Sequence, residues 1–130
     1  MSMPEPVIEL TRQWWSRAVE DLEAAKAARH LPTACCFHCQ QAVEKAIKAL
    51  LVLQQAEFGK THDIGELLAL LRHTSTPAPE AMTESLRPLT RFAVETRYPP
   101  AAASPAEAVE ALGIAERFLL WARGQLPKEA

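Results

Sequence analysis

Between Ala34 and Leu53 the sequence runs Ala-Cys-Cys-Phe-His-Cys-Gln-Gln-Ala-Val-Glu-Lys-Ala-Ile-Lys-Ala-Leu-Leu-Val-Leu, and no other segment restricts the fold so tightly. At roughly 100° per residue, Cys35, Cys36, Cys39, Ala42, Val43, Ala46, Ile47, Ala49, Leu50 and Leu53 share one broad face, while Gln40, Gln41, Glu44, Lys45 and Lys48 gather on the other. An apolar arc about half the circumference wide exceeds what one neighbouring helix covers, so this is the central helix of a bundle with partners on two sides. The polar stripe has two readings. Glu44 and Lys48 form an i,i+4 pair with Lys45 beside them, which suits a solvated face; two glutamines and two lysines also suit convergence on a ligand.

The rest of the chain agrees with an all-α fold. Few aromatics (6%), four glycines and no alternating β-branched run favour helix over sheet. At 130 residues and 48% apolar, one domain with its own core is expected. A net charge of −2 argues against a general electrostatic nucleic-acid binder. The three cysteines, crowded into one helix, cannot frame a small disulfide fold, and neither a signal peptide nor a membrane-length apolar run is visible. A cytoplasmic protein is expected.

In chain order, Met1 to Pro6 reads as a loose leader and a first helix as running from Val7–Glu9 to about Arg29, with core positions Trp14, Trp15, Ala18, Val19, Leu22 and Ala25. Asp21 sits at the margin of that stripe, where a local Arg17–Asp21 pair is the plain expectation. Pro32 suits the first turn of the central helix. Gly59 is expected to stop that helix, and Asp63 with Glu66 to cap a short helix from Ile64 to about Arg72. Glu80 to Thr96 keeps helical spacing, but Pro88 removes a donor midway, so a kinked or two-piece helix is expected before Tyr98-Pro99-Pro100 stops it. Ser104-Pro105-Ala106-Glu107 has the signature of a capping box opening the last helix. Ala108, Leu112, Ala115, Leu119, Ala122 and Leu126 form its core stripe; Val109, Ile114, Leu120 and Trp121 fall outside it, which points to an oligomer.

Cys35, His38 and Cys39 have helical spacing, yet they lie on or beside the apolar face and no second Cys/His pair completes a four-ligand site, so core cysteines and no metal are expected. No Gly-flanked serine and no glycine-rich phosphate loop is present, and no cofactor is expected. The remaining polar candidates at helix margins and ends are Asp21, Gln41, Lys45, Lys48, His62, Arg97 and Tyr98. His62 also fits as a helix-start packing residue, and Arg97 as ordinary complement to a helix C-terminus.

Four ordered motifs then stand out: Ala18-x-x-Asp21-Leu22-x-x-Ala25, Cys36-Phe37-x-x-Gln40-Gln41-Ala42-x-Glu44-Lys45-Ala46-x-Lys48-Ala49-Leu50, Thr61-His62-Asp63-Ile64-x-x-Leu67-Leu68 and Thr96-Arg97-Tyr98-Pro99. Together they resemble the minimal HEPN domain of prokaryotes over nearly the whole chain. The resemblance implies an up-and-down bundle of four main helices plus a short one, usually a homodimer, often paired with a minimal nucleotidyltransferase as toxin and antitoxin. It assigns ligand-binding roles to Gln41, Lys45, Lys48, His62, Arg97 and Tyr98, with Asp21 and Asp63 in support. HEPN ribonucleases resemble one another in an arginine followed, after four to six residues, by a histidine; counted from Arg97 those positions hold Ala102, Ala103 and Ser104. The general acid/base is missing, so a non-catalytic module binding a nucleotide or a nucleotidyltransferase partner is expected, with a metal-independent endoribonuclease using Arg97 and His62, or a structural dimeric adaptor, as alternatives. If Arg97 approaches Lys45, Lys48 and His62, one cationic cleft suited to phosphate results.

Overall fold

The computed structural model describes residues 3–94 and 101–130, so Arg97 and Tyr98 lie outside the described residues. Among those described, every regular element is helical: α1 (Glu5–Ala27), α2 (Pro32–Leu53), α3 (Ile64–Arg72), α4 (Glu80–Leu86), a 3₁₀ turn (Arg87–Thr90), α5 (Arg91–Val94) and α6 (Pro105–Gln125). α2 is the hub. It packs most extensively against α1, then α6, and also meets α3 and α5. No residue of α2 is fully exposed, and Ala42, Val43, Ala46, Ile47, Ala49, Leu50 and Leu51 are wholly buried. Among the described residues no helix is long and apolar enough to cross a membrane.

Local chemistry explains most boundaries. Asp63 accepts from Glu66 N at 3.2 Å to start α3, whose Leu67, Leu68 and Leu71 are buried. Ser104 and Glu107 complete the reciprocal capping box of α6, at 3.1 and 2.8 Å. The missing donor of Pro88 divides α4 from α5 through the 3₁₀ turn, as its position in the sequence implies. Thr90 Oγ1 in that turn accepts from Ile64 N at 3.0 Å, tying the start of α3 to this two-piece helix.

Four expectations are corrected. α1 begins at Glu5, inside the stretch read as a leader, because Pro6 fits the first turn of a helix; it ends at Ala27. Val19 is 38% exposed, and the buried line of α1 is Ile8, Thr11, Ala18 and Ala25, with Trp14, Trp15 and Leu22 half-buried. Gly59 does not stop α2. Gln55 takes the left-handed conformation (φ 54°), and the Gln55 and Ala56 amides donate to the Val52 and Leu51 carbonyls in a Schellman closure. Ile114 belongs to the core, whereas Val109 and Leu120 stand 75% and 78% exposed.

Candidate functional site

Gln40, Glu44 and Lys48 succeed one another at intervals of four on α2, so their side chains stack along one side of the helix. That side is covered, not solvated. Glu44 is 3% exposed and Lys48 7%. The Glu44 carboxylate accepts from Gln40 Nε2 at 3.0 Å, from Lys48 Nζ at 3.0 Å and from His62 Nδ1 at 3.0 and 3.2 Å to its two oxygens. An ionised carboxylate only accepts, so His62 carries its proton on Nδ1 and turns Nε2 outward; the imidazole is 56% exposed. Gln40 also donates to the His62 carbonyl at 3.2 Å and accepts from Gln41 Nε2 at 2.6 Å. The lid is aromatic: Lys48 Nζ lies 5.3 Å from the Trp14 ring centre and 5.7 Å from that of Phe58, and the two rings meet edge to face at 6.1 Å.

A second carboxylate organises a neighbouring cluster between α1 and α2. Asp21, 13% exposed, receives His38 Nδ1 at 2.9 Å on one oxygen and Lys45 Nζ at 2.5 Å on the other. The Arg17–Asp21 pair expected from spacing is not formed. Arg17 has no hydrogen bond or ion pair among the described residues.

The structure therefore brings Gln41, Lys48 and His62 into one network and puts Lys45 with Asp21 in another. Asp63 serves as the cap of α3. The single cationic cleft is corrected as far as the described residues go: Lys45 and Lys48 each already hold a carboxylate. Three residues absent from the sequence-derived set complete the site: His38, Gln40 and Glu44. The i,i+4 ladder Gln40-Glu44-Lys48 was the available signal, but its burial depends on Trp14 and Phe58, which approach from α1 and from the loop after α2.

The three cysteines, near the start of α2, are all fully buried and unbridged, and no group of three metal-binding side chains occurs among the described residues. Burial pushes the Cys36 thiol up to about 11, with Cys35 and Glu107 adding to the rise and Arg91 opposing it; Cys35 and Cys39 are raised for the same first reason. In the folded chain Cys36 keeps its proton above pH 9, where the unfolded chain releases it, so stability falls as pH rises from about 9 towards 11. Denaturant titrations at pH 8 and 10.5 are expected to show that loss, and to show less of it in Cys36→Ala. A disulfide dye at pH 8 should label the thiols only after unfolding.

Residues 11–125 match the sequence profile of the HEPN domain. The chain belongs to the HEPN domain family. Among solved structures, the HEPN chain is similar to TT1696 from Thermus thermophilus, at 28% identity and a TM-score of 0.77 over 89% of this chain and 98% of that one. It is also similar to ST0689, an archaeal HEPN homologue, at 28% identity and a TM-score of 0.74 over 90% and 98%. No curated protein matches the sequence. HEPN family members commonly dimerise. Both polar clusters lie within the matched span.

Proposed function

We propose that this HEPN chain is a non-catalytic homodimeric module that binds a partner protein of the minimal nucleotidyltransferase class, or a nucleotide, through the side bearing Gln41, Lys45, Lys48 and His62. The observation that carries this reading is the charge balance of the two clusters. Asp21 with Lys45 is a charge-matched pair at the part-exposed margin, and Glu44 and Lys48 neutralise one another in the buried layer beside it, so each of the two lysines is already offset by a carboxylate, which suits contact with a protein surface better than with a polyanion. The alanines and serine at 102–104 leave Arg97 without the histidine that strand cleavage would use.

One feature favours a second reading. The buried Glu44 carboxylate orients His62 with Nε2 outward, the arrangement of a general base, so in an endoribonuclease His62 would take the place of the missing histidine.

Both readings are tested on the full chain. Co-expression with a minimal nucleotidyltransferase from the same genome is expected to give a stable complex, which Lys45→Glu weakens by about ten-fold. A metal-free RNA assay is expected to show no cleavage. Cleavage abolished by His62→Ala and by Arg97→Ala would establish the enzyme and remove the non-catalytic reading.

A further inference from the structure

α4 meets α6 only sparsely, and two cavities open between them. The first, about 310 Å³, is walled by Glu84 on one side and Glu110 on the other, above Leu89, Phe92 and Ala111. The second, about 200 Å³, lies among Met82, Leu86, Arg117 and Phe118. Ser85 and Ile114 line both, so the two join end to end as one groove. Along α6 it extends from Glu107 to Phe118, a rise of about 16 Å. Its floor is apolar and its walls are charged unevenly. Glu107 holds the Arg91 guanidinium, which also sits 4.6 Å from the Phe92 ring centre. Glu84 and Glu110 are exposed, and neither has a hydrogen bond or ion pair among the described residues. Arg117, at the other end, is likewise without a carboxylate there.

We propose that this groove docks a short amphipathic helix of a partner protein, its apolar side chains seated in the two cavities and a lysine or arginine reaching Glu84 and Glu110. Charge selects this occupant. Two open carboxylates repel the phosphates of nucleic acids and of anionic lipids, whereas they attract a basic side chain and steer its approach. Length selects it too, because side chains one or two turns apart on a helix, about 5 to 11 Å, match two cavities set end to end, and a small molecule would fill one and leave the other wet. A second copy of this chain fits poorly: a two-fold contact through the groove would bring like carboxylates together. The groove also faces a different side of α6 from Val109 and Leu120, with Arg117 between, and shares no residue with the clusters of α1 and α2. It therefore stands or falls apart from the surface on α2.

Panning a displayed library of helical peptides about 14 residues long against the full chain tests the groove. Sequences with apolar residues at i, i+4 and i+7 flanked by lysine or arginine are expected. Fluorescence anisotropy of one enriched peptide should show at least ten-fold weaker binding by Glu84→Lys with Glu110→Lys, and recovery when the basic residues of the peptide are changed to glutamate. Ser85→Trp, at an exposed position where the cavities join, should abolish binding with an unchanged melting temperature. The proposal is overturned if nothing is enriched, if acidic sequences are, or if binding survives either variant. Light scattering of the charge-reversed chain tests the other occupant: a wild-type dimer that falls apart in it would show that a second copy fills the groove, and the partner helix would be removed.

Discussion

Glu44→Ala is expected to destabilise the folded chain by about 3 to 5 kcal/mol, a fall in melting temperature of roughly 10 °C or more. Removing the carboxylate leaves Lys48, 7% exposed, as a buried cation facing two aromatic rings, and it strips Gln40 and His62 of their shared acceptor. The loss should far exceed that of Lys45→Met, since the Lys45 side chain is 22% exposed and its ammonium can be replaced at Asp21 by water. Much of the penalty comes from stranding a charge, so Glu44→Leu combined with Lys48→Met should recover most of the stability, as apolar replacements of buried ion pairs often do. Chemical denaturation of the two single variants and the double variant settles the point. A loss below about 1 kcal/mol for Glu44→Ala would mean that water reaches Lys48.

The second large effect concerns assembly. Val109 and Leu120, 75% and 78% exposed, fall on one side of α6 with Ala106, Gly113 and Gly124; the exposed Arg117 crosses the same side and lays its guanidinium against Gly113, so the stripe is two apolar side chains flanking one arginine. In a two-fold dimer such a stripe would cross its own copy. Val109→Asp with Leu120→Asp is expected to weaken self-association by more than a hundred-fold, about 2.7 kcal/mol, because two carboxylates would lose water without gaining partners. Each side chain already faces outward in the single chain, so the fold should survive. Light scattering should report a dimer for the wild type at micromolar concentration and a monomer for the variant. A wild-type monomer, or a variant that remains dimeric, would remove α6 from the interface.

The helices were legible because their ends are written locally. Asp63 with Glu66, Ser104 with Glu107, and Pro88 each act within a few residues of themselves, so spacing alone identifies them. The stop of α2 was not, since sequence favours glycine for the left-handed position and Gln55 holds it instead. Side-chain partners across helices were legible only in part. Gln41, Lys45, Lys48 and His62 do gather near α2, but periodicity could not tell a solvated stripe from one roofed by Trp14 and Phe58. The same blindness assigned Asp21 to Arg17, one turn away, when His38 and Lys45 reach it from the neighbouring helix.

His62 is gripped at both ends by α2: Gln40 takes its carbonyl and Glu44 its ring. Its outward nitrogen is thus registered to the helix rather than to the loop that delivers it. The tip of that loop is correspondingly free of duty. Gly59 has open space around it and Lys60 is exposed, so extra residues spliced between them add loop entropy that grows only slowly with length. A fluorescent tag or a short epitope placed there would ride beside the polar site and report on its occupancy while leaving His62 where α2 puts it.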